Sequence, residues 1–206
     1  FGSSCGLRRG VSVTSAPAVS PALAPPPAEA PARTSLDTMG EEEEGSWDQT
    51  LEEWVCSEGH CYAAFMAQCT DGAAYAAAPQ ADEAGWGFIY KDDHEEDILQ
   101  DDGATSKKVT INEAATILEA LTVGRCKSGL WVGGLKYNIT QYDTGFESGD
   151  AVYTVLFANR PKKGMSVVST GSQIVAGLYD EEKGQTAGNC KKTVLAYAEY
   201  LKSIGY

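Results

Sequence analysis

The chain has little of what most enzymes use for catalysis. Only two of its 206 residues are histidine, His60 and His94, and neither has a catalytic partner that the sequence can place. No glycine-rich motif of the kind that cradles phosphate is present. A thiol nucleophile at Cys56 or Cys61 beside His60 remains an alternative, although neighbours in sequence need not be neighbours in space. We therefore expect a binding protein that is not an enzyme and uses no cofactor.

Long apolar runs and basic residues are also scarce. No run approaches about 18 consecutive apolar residues, so no transmembrane helix is predicted. Sixteen Lys and Arg stand against 29 Asp and Glu, which gives a formal net charge of -13. This balance argues against nucleic acid or an anionic membrane surface as the main partner. Hydrophobic residues make up 43% of the chain, which is enough for a packed core.

Cysteines are scattered through the chain. The six are Cys5, Cys56, Cys61, Cys69, Cys126 and Cys190. Cys56, His60, Cys61 and Cys69 lie close together, but their gaps do not match the paired spacing of a zinc site. Cys61 and Cys69 fall in or beside a predicted strand, where cysteine acts as a small apolar residue. We expect no metal site, and free thiols in a reducing cytosol.

Proline is nearly confined to residues 1–38, which hold six of the eight. Three Arg against one Glu and one Asp give this segment a net charge of +1, which leaves -14 for residue 39 onward. Such a composition cannot bury enough apolar surface to offset its ordering entropy, so a disordered segment with polyproline character is predicted. No secretory signal is predicted. The segment reads as an extension that need not be native, followed by an acidic lead over residues 39–45.

Residues 46–206 have the pattern of one α+β domain. Ser46 and Gln49 form a capping box for a short helix that carries Trp47, with Trp54 as a core residue. Thr110 and Glu113 form a second capping box, which opens a central helix. Strands are predicted over residues 61–68, 73–78, 130–132, 136–142, 151–158, 165–169 and 173–179. Short Gly and Pro turns between them indicate an antiparallel sheet, and an amphipathic helix follows over residues 186–206.

An acidic insert over residues 86–108 interrupts the domain. Its carboxylates are Asp92, Asp93, Glu95, Glu96, Asp97, Asp101 and Asp102. Because like charges repel, we expect a loop that stands out in solvent, with Ile98 and Leu99 pinning it. The insert lacks the central Gly and the fixed-position Glu of an EF-hand, so calcium binding is not predicted.

The order of several short fragments resembles profilin over residues 46–206. They are Trp47, Asp71-Gly72, Gly133-Gly134-x-Lys136-Tyr137, Leu178-Tyr179-Asp180-Glu181 and the closing aromatic helix. Residues 90–97, 110–114, 180–183 and 198–201 resemble the profilins of apicomplexan parasites in particular, which carry an acidic loop and an added hairpin. The resemblance implies a profilin-like central antiparallel sheet, with the N- and C-terminal helices on one face and a helix on the other.

What the resemblance implies about function is binding to monomeric actin. It implies a monomeric protein of the cytoplasm and cytoskeleton that regulates actin polymerisation and supports motility. The matching actin-binding positions are Arg125, Lys127, Lys136, Lys162, Lys163, Asn189 and Lys192. Actin is acidic, so a basic patch would orient the encounter. Recognition by host Toll-like receptors as an antigen is also implied, with the acidic insert as the suspected contact. Phosphoinositide binding is expected to be weak or absent at this net charge.

The resemblance also implies a surface for proline-rich proteins such as formins. Its positions are Trp47, Tyr75, Tyr200 and Tyr206. Thr50 and Tyr75 stand where many profilins have a larger aromatic, so weak proline binding is expected. Three alternatives stay open: Trp47 and Tyr200 serve mainly in packing, residues 25–27 occupy the protein's own proline site, or the chain is a proline-ligand or trafficking adaptor that does not bind actin.

Overall fold

The computed structural model describes residues 46–99 and 105–206. The expectations for residues 1–38 and 39–45, and the acidic residues Asp101 and Asp102, lie outside the described residues. The helices are α1 (Trp47–Leu51), α2 (Ala84–Ile89), α3 (Glu113–Val123) and α4 (Ala187–Ser203). A π-helical turn (Glu52–Cys56) continues α1, and 3-10 turns lie at Ala81–Glu83 and Glu181–Lys183. The strands are β1 (Ala63–Gln68), β2 (Ala74–Ala78), β3 (His94–Leu99), β4 (Ser106–Ile111), β5 (Leu130–Val132), β6 (Leu135–Ser148), β7 (Ala151–Arg160), β8 (Lys163–Ser169) and β9 (Gln173–Asp180).

Seven of the strands form one antiparallel sheet in the order β2-β1-β9-β8-β7-β6-β5. Every strand predicted from the sequence is present, although β6 runs on to Ser148, well beyond the predicted end at residue 142. Two bulges interrupt the pairing of β6 with β7. Bulges bend a strand, which lets β6 follow the curled sheet over its whole length.

Helices cover both faces of this sheet. On one face α1, its π-helical turn and α4 pack over a core that includes Leu51, Val55 and Tyr197. On the other face α2 and α3 contribute Ile89 and Ile117 to a second core. The α+β fold, with its terminal helices together on one face, is therefore confirmed. Among the described residues, no helix combines the length and hydropathy that crossing a membrane requires.

The sequence predicted the N-cap of α1 correctly and that of α3 incorrectly. Ser46 caps α1, because its Oγ accepts the Gln49 N–H at 3.3 Å. The predicted cap at Thr110 is wrong, since Thr110 lies in β4 and Asn112 caps α3 by accepting the Ala115 N–H at 2.9 Å. Asparagine is the stronger N-cap residue.

The acidic insert is not the solvated loop that its charge predicted. Strands β3 and β4 pair as an antiparallel hairpin, in agreement with the added hairpin that the resemblance implied. Side chains alternate along β3, so Ile98 is buried with Ile111 and Trp131 while Leu99 remains 63% exposed. Ile98 therefore pins the insert and Leu99 does not.

Candidate functional site

Trp47 and Tyr206, the two ends of the described domain, meet on one surface. Their ring centroids are 5.3 Å apart and the rings are at 74°, an edge-to-face contact. After α4, Gly205 turns the chain with a φ of +95°, and the Tyr206 N–H donates to the Leu201 carbonyl at 2.9 Å. Positive φ suits glycine, so this turn fixes the last ring against the first helix.

Tyr200 lies beside them and stacks on a residue that sequence reasoning did not assign to the surface. The Trp54 and Tyr200 centroids are 4.7 Å apart with the rings at 18°. Trp54 packs against the core as predicted, but it is only half-buried, so part of its ring also reaches the surface. Trp54 lies in the π-helical turn that follows α1, so the 3.6-residue spacing of an α-helix could not have predicted which face its ring would share.

Tyr75 adds a further ring from β2. Its hydroxyl donates to Gln173 Oε1 at 3.0 Å, and burial, with Tyr206 nearby, raises the pKa of Tyr75. We give the name aromatic surface to five of the half-buried rings that pack against the same core: Trp47, Trp54, Tyr75, Tyr200 and Tyr206. Aromatic faces with polar edges are suited to a polyproline II ligand, whose rings stack on flat surfaces.

Thr50 lies in α1, the helix that supplies Trp47. Its hydroxyl donates to the Ser46 carbonyl at 3.4 Å, so its polar group is directed back to the helix backbone. A threonine at this position offers no ring for stacking, so the aromatic surface has one ring fewer than it would have with an aromatic residue there.

Three of the sequence-assigned basic residues line one shallow depression. Arg125, Lys127 and Lys136 surround a volume of about 350 Å³ between the end of α3 and strands β5 and β6. All three side chains are exposed. Among the residues that the structure describes, none of the three forms an ion pair with a carboxylate.

A second depression, of about 340 Å³, lies at the start of α4. Ala187, Gly188 and Lys191 line it together with residues of β6, β7, β8 and β9. Residues 138 and 139 of β6 line the first depression, and residues 140 and 141 line the second, so both open along one strand. We call the two depressions together the β6 surface.

The first turns of α4 supply two exposed polar residues near the β6 surface. Asn189 and Lys192 are exposed, and the Asn189 N–H donates to the Thr186 side chain that caps the helix, at 3.3 Å. Lys191 is placed differently, with its Nζ 4.6 Å from the Phe146 ring centroid and 4.8 Å from that of Phe157. Lys191 therefore packs as a cation over aromatic faces.

Lys162 and Lys163 are engaged with carboxylates. Lys162 Nζ lies 2.5 Å from Glu182 Oε1, and Lys163 Nζ lies 3.1 Å from Asp180 Oδ2. Lys163 also lies 5.2 Å from the Tyr62 ring centroid. Neither lysine lines either depression of the β6 surface. The structure thus separates this pair from Arg125, Lys127 and Lys136, which the sequence had grouped with it.

Several carboxylates of the acidic insert have defined partners. Asp92 Oδ1 accepts from the Tyr90 hydroxyl at 2.9 Å, and Asp93 Oδ1 accepts from Asn112 at 2.8 Å. Glu95 lies 3.6 Å from Lys108 across the hairpin. The remaining described carboxylates are Glu96, which lies 3.8 Å from His94, and the exposed Asp97. No three His, Cys, Asp or Glu side chains in the described part of the chain converge as a metal site would require.

Comparison with known proteins agrees with this architecture. The family model for profilin matches residues 45–206. Profilins of Plasmodium berghei and of Plasmodium falciparum (isolate 3D7) are each 33% identical over 165 residues. The match covers 77% of this chain and 94% and 96% of those proteins, respectively.

Solved structures with a similar fold include profilin IA of Acanthamoeba castellanii and the profilin of Schizosaccharomyces pombe. They are 20% and 16% identical to this chain, and each has a TM-score of 0.52. Each match covers 78% of this chain and 100% of the solved structure. The family match spans all of the described residues, and the sheet and the paired terminal helices agree with it, so this chain belongs to the profilin family.

Proposed function

We propose that this chain binds monomeric actin and regulates its polymerisation, as a monomer in the cytoplasm and at the cytoskeleton. The observation that carries the proposal is a group of exposed cations on the β6 surface for which the described residues supply no carboxylate partner: Arg125, Lys127 and Lys136. On a chain with a net charge of -13, such a group would be matched to an acidic partner.

Asn189 and Lys192 extend this proposed contact at the start of α4. Lys162 and Lys163 stay in the proposal with a smaller role, because Glu182 and Asp180 already offset their charge. A lysine that already pairs with an intramolecular carboxylate adds less net positive charge to the surface that an acidic partner would meet. The direct test is pyrene-actin polymerisation, in which a monomer-binding protein slows spontaneous nucleation.

A weaker, second contact with proline-rich proteins such as formins is supported by the aromatic surface. The half-buried rings of Trp47 and Tyr206 present faces and edges, whereas Trp54 and Tyr200 cover one another in part. If actin does not bind, this surface favours the alternative of a proline-ligand or trafficking adaptor. Phosphoinositide binding is expected to be weak or absent, because the net charge opposes anionic membranes.

Recognition by a host Toll-like receptor is proposed through the acidic hairpin. The described carboxylates there are Asp92, Asp93, Glu95, Glu96 and Asp97. Exposed Asp97 would be the first to meet a basic receptor surface. Glu95 is also exposed on this strand, although it lies 3.6 Å from Lys108, and Asp93 is held by Asn112.

Replacing Glu95 and Asp97 with Ser should lower receptor signalling in a reporter cell and leave the thermal midpoint within about 2 °C, because surface substitutions are usually small in effect. The matched control replaces Glu181 and Glu182 with Ser. Unchanged signalling from the hairpin variant would remove this assignment.

A further inference from the structure

Two cysteines that are far apart in the sequence meet in the core. The Cys61 and Cys190 sulfurs are 3.3 Å apart, although 129 positions separate the residues. Cys61 is 2% exposed and Cys190 is fully buried. Cys61 lies just before β1 and Cys190 in the first turn of α4, so the contact joins the last helix to the entry of the first strand.

Gly177 makes the room for both sulfurs. A Cβ at this position of β9 would lie 2.9 Å from Cys61 Sγ and 3.4 Å from Cys190 Sγ. The Cys190 thiol also donates to the Gly177 carbonyl at 3.3 Å. The sheet therefore holds the two sulfurs over a gap that a larger side chain would fill.

We propose that Cys61 and Cys190 form a disulfide-competent pair, which hydrogen peroxide converts into a reversible cross-link between α4 and the entry of β1. The separation of the two sulfurs, 3.3 Å, is already shorter than the usual distance between non-bonded carbon atoms, about 3.5–4.0 Å. The sulfurs need to approach by only about 1.2 Å more to reach the disulfide bond length of about 2.05 Å.

The chemistry uses one equivalent of peroxide. One thiolate attacks the O–O bond, becomes a sulfenic acid and releases hydroxide, which takes up the thiol proton as water. The second sulfur then attacks the sulfenic sulfur and expels its oxygen as a second water. Two thiols and one peroxide thus give one disulfide and two waters, and a dithiol reductant restores both thiols.

The reaction is expected to be slow in the folded protein. The hydrogen bond to Cys190, with burial added, raises the pKa of Cys61, and the thiolate is the reactive form. The pair therefore responds to sustained oxidation. Cys56 is the rival partner, because it is half-buried and close enough for the charge of Cys61 to act on it. Burial, with that charge added, raises the pKa of Cys56 to about 12.

The test is a disulfide map of the full chain after hydrogen peroxide treatment, alkylation of the remaining thiols and non-reducing digestion. We expect a peptide that joins Cys61 to Cys190, loss of two hydrogens from the chain mass and reversal by dithiothreitol. Closing a loop of this length constrains the unfolded chain, so the thermal midpoint should rise by several degrees on oxidation.

Matched variants separate the pair from the other thiols. Cys190→Ala should abolish both the linked peptide and the thermal shift, whereas Cys126→Ala, a half-buried thiol elsewhere, should keep both. Recovery of Cys61 and Cys190 as alkylated thiols after oxidation would overturn the proposal, and so would a peptide that links Cys61 to Cys56. The wild-type map decides by itself if Cys190→Ala does not fold, and neither result depends on actin binding.

Discussion

The carboxylate of Glu113 accepts the backbone N–H of Gly134 at 2.6 Å. The same side chain accepts the N–H groups of Gly133 at 3.0 Å and of Lys91 at 3.1 Å. Glu113 is 5% exposed, so water cannot replace these bonds. The first residue of α3 thereby ties the β5–β6 turn to the segment that leads into the acidic hairpin.

Glu113→Gln should destabilise the protein by about 1–3 kcal/mol. A glutamine amide keeps one acceptor oxygen but places an NH2 group against backbone donors, which leaves a buried N–H unsatisfied. The free energy of unfolding in urea measures the loss. Glu119→Gln, on the same helix but half-exposed, should change it by less than about 0.5 kcal/mol. Equal effects of the two variants would contradict this role of Glu113.

Asp180 should stabilise the fold in a pH-dependent way. Burial opposes its ionisation, but hydrogen bonds from Lys163 and from the Glu182 N–H outweigh burial and hold the pKa of Asp180 below its usual 3.8. A lowered folded-state pKa gives stability that is present above about pH 4 and is lost as the pH falls through the folded value. The gap in unfolding free energy between wild type and Asp180→Asn should therefore shrink as the pH falls from 6 to below 3.8.

The wild-type curve alone would not show this effect, because burial raises the pKa of Glu113 and so acts in the opposite direction. The difference between wild type and Asp180→Asn isolates one carboxyl group. Glu181→Gln removes a carboxylate at the exposed neighbouring position and serves as the matched control. A gap for Asp180→Asn that widens towards low pH would contradict a lowered pKa of Asp180 in the folded protein.

Proline binding should depend on the ring that closes the chain. Tyr206→Ala removes one ring of the aromatic surface, so a proline-rich ligand loses one ring contact, which contributes about 0.5–1.5 kcal/mol. We expect the affinity for a decaproline peptide to fall about 2- to 10-fold. Tryptophan fluorescence measures the binding. Thr50→Tyr should strengthen binding by adding a ring. The control is Tyr90→Ala, which removes a ring at an exposed position of the acidic insert. If both variants bound decaproline with the same affinity, the prediction would be contradicted.

Local signals in the sequence predicted most of the fold. Alternating apolar residues and Gly turns identified every strand of the large sheet, and Ser46 marked the start of α1 correctly. The cap of α3 was misplaced because Thr110 and Asn112 both fit a helix start. Only the pairing of β4 with β3 decides that Thr110 belongs to a strand.

The site was less predictable because it depends on contacts between distant residues. Net charge indicated a solvated insert, yet the burial of Ile98 against Trp131 makes it a hairpin. Nothing near Lys162 in the sequence shows that Glu182 will neutralise it. The partial exposure of Trp54 could not be predicted, because it lies in a π-helical turn and its stacking partner Tyr200 comes from the opposite end of the domain.

The most direct measurement is pyrene-actin polymerisation with the full chain and two charge-reversed variants. Arg125→Glu/Lys127→Glu alters the β6 surface, while Lys107→Glu/Lys108→Glu makes the same change in charge at exposed positions of β4. We expect wild type and the β4 variant to slow spontaneous nucleation and the β6-surface variant to relieve that effect. No slowing by wild type well above the actin concentration would contradict actin binding, and equal slowing by all three proteins would contradict the β6 surface as its site.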